Sequence, residues 1–416
     1  MGTISMIENP QIAIIGSGPS GIYTAQFLLK KIPDCKIDIL ERLPTLYGLV
    51  QYGVAPDHQS AKAITRQFDR LFENKSVHFF GGVEVGNAIH LEELKKLYDI
   101  VIIASGLYGD RRLGIQGENL PGVLPSGRLT RWLNGYPNEE LKPLLVGPHL
   151  VIIGNGNVAI DVARLMAKTD QDLINSTMDL TRHALLGGGK VKTIDIIGRG
   201  LPEGCKSDPL ILRELANIPY VHLTVEGNLT PDNEDSFPQI VKNRLKVLRE
   251  INNMGKPNAP CQISIRFQLK PIEIIGDNSV KAVIFHDQNK NIREISASAV
   301  VTAIGFCDAP DTVISRDRFR IKNEGELSYN LGENLYSVGW FRKGPTGTIS
   351  ENRVDAKEVV EIIFRDIEQS LKNKAKEKKG LASEELEKLL KARRVHWFDF
   401  EQKEEMSPNK SQNTLC

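Results

Sequence analysis

Residues 11–21, QIAIIGSGPSG, and residues 36–41, KIDILE, decide the fold of this 416-residue chain. The apolar run at 12–15 has the length of a buried strand, and the glycines that follow it lead into a helical stretch up to about residue 30. The second apolar run ends in Glu41, 20 residues after Gly21. A strand, a GxGxxG turn, a helix and a second strand ending in an acid are typical of a dinucleotide-binding unit.

Each residue type in this turn has a physical reason. Gly16 allows the tight turn, Gly18 lets the backbone approach a pyrophosphate, and Gly21 lets the helix pack closely on the strand. The helix N-terminus presents free amides and a positive dipole end to phosphates, and Glu41 accepts hydrogen bonds from a ribose. The alternative is a glycine-rich turn without a ligand. The residues expected at this nucleotide are Gly16, Gly18, Pro19, Ser20, Gly21 and Glu41.

A second motif of the same kind lies in the middle of the chain. The apolar run at 150–153 leads into GNGNVA (154–159), a GxGxxA variant, and a helical stretch follows at 160–168. The next predicted strand, 191–197, is followed by Arg199 and not by an acid. A basic residue at this place suits the 2′-phosphate of NADP, and the alternative is a solvated loop charge.

Two dinucleotide motifs in one chain imply two nucleotides, with FAD at the first motif and a nicotinamide cofactor at the second. Two apolar runs that end in small residues, 99–106 and 299–305, look like the domain crossovers of two-nucleotide flavoproteins. We therefore predict an α/β protein with two doubly wound, Rossmann-like domains, the second inserted in the first. The FAD-binding domain is predicted at 1–106 plus 330–416, and the NADP-binding domain at 107–329.

Composition excludes several other classes of protein. Lys and Arg number 53 and Asp and Glu 52, and a formal net charge of +1 argues against nucleic acid as the main partner. The five cysteines are at least 46 residues apart, which removes CxxC dithiols and zinc-ribbon spacing, and no metal site is expected. No apolar run approaches the about 20 residues of a membrane span. We expect a soluble, cytoplasmic protein that binds neither membrane nor nucleic acid.

The C-terminal quarter adds a third turn and two polar segments. A predicted strand at 335–340 leads through GPTG (344–347) into a helix at about 353–370, whose amides face an anion or a flavin edge. The charge run KNKAKEKK (372–379) is predicted to be solvated, and residues 407–416 are predicted to fray.

The chain resembles the adrenodoxin reductase type of NADPH-dependent ferredoxin reductases over about residues 10–365. The segments that carry the resemblance, besides 12–21, are LERLPT (40–45), GLV (48–50), YGVAPDH (52–58), DR (110–111), GENLPGV (117–123), Trp132, NG (134–135), GNGNVAIDVAR (154–164), GW (339–340) and GPTG (344–347). The resemblance implies hydride transfer from NADPH to FAD and single-electron transfer onward to a ferredoxin-like iron–sulfur protein.

The resemblance also assigns residues to the two nucleotides. Besides the first glycine motif and Glu41, the residues implied for FAD are Leu49, Gly106, Trp340, Gly347, Thr348 and Ile349. Those implied for NADP are Asn155, Gly156, Asn157 and Val158, with Arg199 at the 2′-phosphate.

His58 and Asp161 match a His–Asp pair near the flavin in this family and are the candidate catalytic residues. A histidine changes charge near neutral pH, and a carboxylate stabilises its protonated form. The pair is expected to stabilise charge on the reduced flavin or to move a proton. The alternative is that both residues only support local packing.

Two positions depart from the family pattern. The family has Gly-Arg-Arg-Gly-Pro after the second nucleotide strand, whereas this chain has Gly198-Arg199-Gly200-Leu201-Pro202. One guanidinium instead of two at a phosphate costs about 1.5–3 kcal/mol, or one to two decades of affinity. The family also has a glutamate at the nicotinamide end, where an ungapped alignment puts Ile211, with Asp208 or Glu214 as substitutes if the loop is shifted.

The resemblance implies a basic docking surface for acidic ferredoxins, located on the NADP-binding domain. The candidate docking residues are Arg213, Lys242, Arg244, Lys246 and Arg249. The spacing of Lys242, Lys246 and Arg249 puts them on one helix face, where complementary charge steers an acidic partner. The alternative is an ordinary solvated helix face.

Three other functions compete with the ferredoxin reductase. A thioredoxin reductase-like disulfide reductase is disfavoured by the missing CxxC. An NADH-preferring reductase is favoured by Gly200 but disfavoured by the lack of an acid after the second strand. A degenerate FAD-binding protein with weak or no nicotinamide chemistry is favoured by Gly200 and Ile211.

Overall fold

The computed structural model describes residues 9–137, 139, 146–320, 325–370 and 381–404. The predicted solvated run at 372–379 and frayed tail at 407–416 lie outside these residues. The chain divides into two compact units, each of which has its own sheet. Unit 1 comprises Met1–Val54, Ser60–Gly109 and Phe306–Cys416, and unit 2 comprises Ala55–Gln59 and Asp110–Gly305.

The strands of the described chain follow in order. They are β1 (Gln11–Ile15), β2 (Lys36–Glu41), β3 (Val77–Gly81), β4 (Ile100–Ile103), β5 (Gly109–Asp110), β6 (Val123–Pro125), β7 (His149–Ile153), β8 (Thr193–Ile197), β9 (Val221–Glu226), β10 (Cys261–Arg266), β11 (Lys270–Ile275), β12 (Ala282–His286), β13 (Ile292–Ser296), β14 (Ala299–Thr302), β15 (Phe306–Cys307), β16 (Asn330–Gly332) and β17 (Leu335–Ser337).

The helices are numbered in the same way. They are α1 (Pro19–Lys31), α2 (Leu49–Tyr52), α3 (Gln59–Lys62), α4 (Thr65–Asp69), α5 (Leu91–Leu97), α6 (Ser126–Leu133), α7 (Asn157–Ala167), α8 (Asp170–Leu173), α9 (Leu180–Leu185), α10 (Pro209–Ala216), α11 (Gln239–Asn252), α12 (Gly339–Lys343), α13 (Ile349–Ser370) and α14 (Ala382–Ala392). Short 3₁₀ turns lie at Pro202–Gly204, Glu234–Ser236, Arg316–Phe319 and Glu401–Glu404.

Unit 1 is built on a six-stranded sheet in the order β16-β17-β4-β1-β2-β3, parallel except for β16. Both faces of the sheet are covered, and this explains why β1 is apolar throughout. Ile12 and Ile14 pack into the core that includes side chains of α1 and α13, whereas Ala13 and Ile15 pack into the core that includes side chains of α5 and α14.

Unit 2 is built on a wholly parallel six-stranded sheet in the order β6-β14-β7-β8-β10-β9. Side chains of α6, α7, α10 and α11 cover one face. The antiparallel sheet β11-β12-β13 contributes Ile274, Val283 and Phe285 to the core on the other face. The expected architecture of two doubly wound α/β domains is confirmed, although this small antiparallel sheet was not predicted.

The first junction between the units lies at 109/110 and not at the predicted 106/107, and the borders differ from the predicted domain borders at two further places. Residues 306–329 belong to unit 1 because Asp308 accepts hydrogen bonds from Ser315 and Arg316, and the Arg316 guanidinium binds the carbonyls of Phe341 and Arg342 at the end of α12. The junction therefore lies at 305/306 and not at 329/330.

The second difference is the short segment Ala55–Gln59, which belongs to unit 2 although the sequence around it belongs to unit 1. Several contacts hold it there: Arg164 and Lys168 bind the carboxylate of Asp57, Thr177 donates to the carbonyl of Pro56, and Ala55 packs into the core of unit 2. His58 is carried into unit 2 by the same segment.

Candidate functional site

The first glycine loop joins β1 to α1 in unit 1. Gly16 has φ +110°, and a Cβ there would lie 2.5 Å from the carbonyl oxygen of Ala104. A Cβ on Gly21 would lie 2.1 Å from the carbonyl oxygen of Gly16. A Cβ on Gly18 would have no protein atom within 4 Å. Two of the glycines thus allow close packing, whereas the space in front of Gly18 is open for a phosphate.

Glu41, at the end of β2, holds this loop in place. Its Oε2 accepts hydrogen bonds from the amide and the hydroxyl of Ser17, at 3.0 and 2.9 Å, and its Oε1 accepts from the amide of Leu43 at 3.2 Å. The side chain is buried. A carboxylate oxygen has two acceptor sites, so Oε1 retains capacity for one more donor. Glu41 therefore positions the loop in addition to its predicted contact with a ribose.

A cleft opens at the carboxyl ends of the parallel strands of unit 1, where α/β sheets bind their ligands. Three predicted residues line it, namely Gly16, Glu41 and Gly106. Sequence analysis missed Arg42 and Tyr108, whose guanidinium and ring stack at 3.6 Å. Arg42 directly follows Glu41, and Tyr108 lies two residues after Gly106. The other lining residues are Ile15, Leu40, Val83, Glu84, Val85, Ser105, Leu107, Asp308, Ala309, Thr312, Val313 and Ile314.

The predicted FAD residue Trp340 lies in a second part of unit 1, formed by α12 and the start of α13. The indole Nε1 of Trp340 and the amide Oδ1 of Asn352 are both buried, and neither has a hydrogen-bond partner among the described residues. Gly339, which precedes Trp340, lies so close to α1 that a Cβ there would be 2.0 Å from the hydroxyl of Ser20. Two buried polar groups thus remain available to a ligand beside the start of α1.

The predicted FAD residues at 347–349 lie at the start of α13, where Thr348 forms hydrogen bonds with Glu351. The amide of Thr348 donates to Glu351 Oε2 at 2.7 Å, and its hydroxyl accepts from the Glu351 amide at 3.4 Å. This pair caps α13. Leu49 follows Gly48, where a Cβ would lie 3.4 Å from the Cα of Gly18, and so Leu49 starts α2 beside the first glycine loop.

The second glycine loop joins β7 to α7 in unit 2. As in the first loop, one glycine allows close packing and another faces open space. Gly154 has φ +124°, and a Cβ there would lie 2.1 Å from the carbonyl oxygen of Ala303. A Cβ on Gly156 would meet no protein atom within 4 Å. Asn157 begins α7 and its side chain accepts a hydrogen bond from the amide of Asp208 at 2.6 Å. Val158 follows in the first turn of α7.

Arg199 follows the end of β8 and is exposed, with no hydrogen bond or ion pair to another described residue. A Cβ on the next residue, Gly200, would meet nothing within 4 Å. Ile211 is partly buried and packs against the core of unit 2. Asp208 is the N-cap of α10, where its carboxylate accepts from the amide of Leu210 at 2.8 Å.

His58 lies within a cluster of charges in unit 2. Its Nε2 is 2.6 Å from Nη2 of Arg164, 3.3 Å from Oε2 of Glu214 and 3.6 Å from Oδ1 of Asp161. Accepting from Arg164 requires an unprotonated Nε2, whereas donating to a carboxylate requires a protonated one. The contacts of this nitrogen therefore change with its proton. Glu214, one turn after Ile211 on α10, is nearer than the predicted partner Asp161.

Two carboxylates of this cluster have opposite pKa shifts. Burial by itself would raise the pKa of Asp57, but Arg164 and Lys168 outweigh it and hold that pKa below its ordinary value. Burial raises the pKa of Asp161, although His58 and Arg164 oppose the shift. Arg164 binds both carboxylates and connects them, at 2.9 Å to Oδ1 of Asp57 and 3.0 Å to Oδ1 of Asp161.

The predicted docking residues are mostly paired with acids. Arg249 makes two hydrogen bonds to Glu234, and Arg213 and Lys246 both contact Glu250. Lys242 donates to the backbone carbonyl of Asp235, and Arg244 to that of Ser207. Lys242, Lys246 and Arg249 do lie on α11 at the spacing of one face.

The described residues contain no group of three or more His, Cys, Asp or Glu side chains placed to hold a metal ion. None of the described helices combines the length and the apolar character that a membrane crossing requires. Cys35, Cys205, Cys261 and Cys307 are free thiols.

The residues of unit 1 fit FAD, and those of unit 2 fit a nicotinamide dinucleotide. The open space at Gly18, the carboxylate of Glu41 and the unpaired groups of Trp340 and Asn352 match the pyrophosphate, ribose and ring of a flavin dinucleotide. The open space at Gly156 lies at the N-terminus of α7, where a second pyrophosphate would fit.

Comparison with known proteins agrees with this fit. Residues 10–191 match the family described as pyridine nucleotide-disulphide oxidoreductase. Cindoxin reductase of Citrobacter braakii is 39% identical over 86% of this chain and 78% of its own length. The mitochondrial NADPH:adrenodoxin oxidoreductase of Salvelinus fontinalis is 31% identical over 88% of this chain and 80% of its own. A solved structure of Mycobacterium tuberculosis FprA in complex with NADPH superposes with a TM-score of 0.87, at 31% identity, over 95% of this chain and 93% of that one.

Proposed function

Since the chain belongs to the adrenodoxin reductase type of ferredoxin–NADP(+) reductases, we propose that it passes electrons from NADPH through FAD to a ferredoxin-like iron–sulfur protein. The observation that carries the proposal is the pair of glycine loops. Each unit has one loop at the carboxyl end of a parallel strand, and in each the space before the middle glycine is open. Bound FAD supplies the step that converts a hydride into two single electrons.

The residues of unit 1 bind and orient FAD in this proposal. The amides at the N-terminus of α1 bind the pyrophosphate, and Glu41 fixes the loop through Ser17 while it accepts from the ribose. The unpaired Nε1 of Trp340 donates to the flavin half. The residues proposed to contact FAD are Gly16, Gly18, Pro19, Ser20, Gly21, Glu41, Leu49, Gly106, Trp340, Gly347, Thr348 and Ile349, with Arg42 and Tyr108 added from the cleft.

The residues of unit 2 bind NADPH. Asn155, Gly156, Asn157 and Val158 surround the pyrophosphate at the start of α7. Arg199 binds the 2′-phosphate, and its lack of a partner among the described residues supports this role. With Gly200 beside it, a single guanidinium recognises this phosphate, so the preference for NADPH over NADH is expected to be modest.

His58 is proposed to hold or move a proton during the reaction, with Glu214 and Asp161 as its acceptors. Support comes from the three groups around one ring nitrogen, since Arg164 is a donor next to Nε2 and the two carboxylates are acceptors next to it.

The iron–sulfur partner is proposed to be small and acidic and to dock at the basic face of α11. Lys242, Lys246 and Arg249, together with Arg213 and Arg244, supply the positive charge. Because Glu234 and Glu250 neutralise part of it, the steering effect of any one cation is expected to be small. The cytoplasm is proposed as the compartment, which the free thiols of the described cysteines support.

Anaerobic rapid mixing of the yellow holoprotein with NADPH, and separately with NADH, tests the proposal. The flavin absorbance should bleach quickly with NADPH, and the reduced protein should then reduce a small acidic ferredoxin. A holoprotein that keeps FAD but bleaches with neither nucleotide would contradict the reductase and favour a non-catalytic flavoprotein. Faster bleaching by NADH would contradict the role of Arg199.

A further inference from the structure

We propose that Lys206 is a ligand of the nucleotide pyrophosphate in unit 2 and thus offsets part of the affinity lost with the second arginine. This inference rests on the proposed function, because it concerns the nucleotide site of that function. Lys206 belongs to none of the motifs that the sequence singled out.

The segment around Lys206 is attached to the second glycine loop at three points. The backbone of Lys206 forms a parallel bridge with Gly156. The thiol of Cys205 contacts the carbonyl oxygen of Asn155 at 3.4 Å. The amide of Asp208 donates to Oδ1 of Asn157 at 2.6 Å. Each residue of the loop from 155 to 157 therefore has a partner in this segment, and the position of Lys206 relative to the loop is fixed.

The burial pattern of the segment shows which way Lys206 faces. Cys205 and Ser207 are 2% and 0% exposed, whereas Lys206 between them is exposed. In an extended segment successive side chains alternate between two faces. Residues paired across a bridge have their Cβ positions on the same face of the two segments. Lys206 therefore shares its face with the Cβ position of Gly156, which is the open one.

The charge of Lys206 is available to a ligand. Its ammonium makes no hydrogen bond or ion pair with another described residue. The nearby carboxylate of Asp208 is engaged as the N-cap of α10. A flexible lysine one bridge away from the phosphate-binding turn can reach a phosphate oxygen, and such charge-assisted contacts are strong.

The pyrophosphate is common to NADP⁺ and NAD⁺, whereas the 2′-phosphate is present only in NADP⁺. A contact from Lys206 to the pyrophosphate therefore strengthens both dinucleotides by the same factor. It raises affinity at the site without restoring the discrimination that Gly200 removes. Arg199 and Lys206 are thus expected to have separable effects.

The experiment measures dissociation constants of NADP⁺ and NAD⁺ for the FAD-loaded protein by calorimetry, with K206A, K206R, R199A and K192A compared to the wild type. Lys192, exposed at the opposite end of β8, is the matched control. K206A should weaken both dinucleotides about tenfold, K206R should restore most of the affinity, and R199A should weaken NADP⁺ alone. K192A should bind like the wild type.

Unchanged affinity in K206A overturns the proposal, and so does a loss confined to NADP⁺, which would make Lys206 a ligand of the 2′-phosphate. A wild-type protein that binds neither dinucleotide would overturn the nucleotide site itself and the proposed function with it. FAD content and melting temperature, measured for each variant, show that unit 1 and the fold are intact.

Discussion

The amide and the hydroxyl of Ser17 both donate to one carboxylate oxygen of Glu41, across 24 residues of sequence. This contact connects the first glycine loop to the end of the neighbouring strand. The same carboxylate is the proposed ribose acceptor. The position of the first glycine loop therefore depends on a group that is also proposed to contact the ligand.

Replacing Glu41 should consequently affect both the loop and FAD. E41A removes three accepted hydrogen bonds from a buried site, and we expect a loss of about 2–3 kcal/mol in unfolding free energy of the apoprotein and at least tenfold weaker FAD binding. S17A removes only the hydroxyl contact and should cost about 1 kcal/mol. Urea unfolding and flavin titration measure both effects. Wild-type behaviour of E41A would contradict the role of this carboxylate.

Alanine at two glycines of the first loop should separate binding from folding. The Cβ of G18A enters open space, so the apoprotein should keep its stability while FAD affinity falls by about tenfold or more. The Cβ of G21A would collide with the Gly16 carbonyl, so this variant should lose stability as well. FAD content and apoprotein melting temperature distinguish the cases. Equal stability losses in both variants would show that Gly18 also serves packing.

Introducing at position 200 the second arginine of the family pattern should increase the preference for NADPH over NADH. Gly200 is exposed, has no positive φ and has no atom within 4 Å of an added Cβ, so G200R should fold normally. A second guanidinium at the 2′-phosphate should lower the KM for NADPH about tenfold and leave the KM for NADH unchanged. A variant with equal gains for both nucleotides would place the new arginine at another phosphate.

The cluster of charged residues around Asp57 in unit 2 predicts how the unfolding free energy changes with pH. The pKa of Asp57 is lower in the folded protein than its ordinary value of about 3.9. Its ionised form therefore stabilises the fold fully above that ordinary value. This contribution is lost as the pH falls through the lower pKa of the folded state. D57N should therefore cost about 3 kcal/mol at neutral pH, and the difference from wild type should shrink below about pH 4.

Asp161 serves as the control, because its pKa is shifted in the direction opposite to that of Asp57. Its raised pKa means that ionisation costs stability as pH rises through the native value, so D161N should be relatively more stable at neutral pH than D57N. Urea unfolding at several pH values measures both variants. If D57N remained less stable than the wild type by the same amount in strong acid, the ionised Asp57 carboxylate would not be the source of the stabilisation.

Charge reversal on α11 tests the docking surface. Lys246 is exposed and shares Glu250 with Arg213, so K246E should lower the second-order rate of ferredoxin reduction by only about two- to fivefold at low salt. The difference should vanish at high ionic strength because salt screens it. K290E, in the turn between β12 and β13, should react like the wild type. Equal rates for K246E and wild type at low salt would exclude this face.

The fold could be predicted from the sequence because two local patterns determine it. An apolar strand followed by spaced glycines has one common structural solution, and it occurs twice, at 11–21 and at 150–159. Several helix and strand limits moved by only a few residues, for example to Pro19–Lys31 and Thr193–Ile197. The strand predicted at 335–340 was wrong in its last part, because the strand ends at Ser337 and Gly339 begins α12. The three-stranded sheet was missed because short alternating strands give a weak signal beside such motifs.

The positions of groups that are distant in sequence were decided by tertiary structure alone. No local pattern shows that Asp57 binds Arg164, and this buried ion pair is one of the contacts that hold Ala55–Gln59, including His58, in unit 2. In the same way, Glu214 reaches His58 and Lys206 pairs with Gly156 only because α10 and its preceding segment pack against the second glycine loop. Thus the sequence by itself determined the two nucleotide motifs, since these are contiguous and built from backbone constraints. The partners of each charge depended on three-dimensional packing, since hydrogen bonds and ion pairs form between groups that only the folded chain brings together.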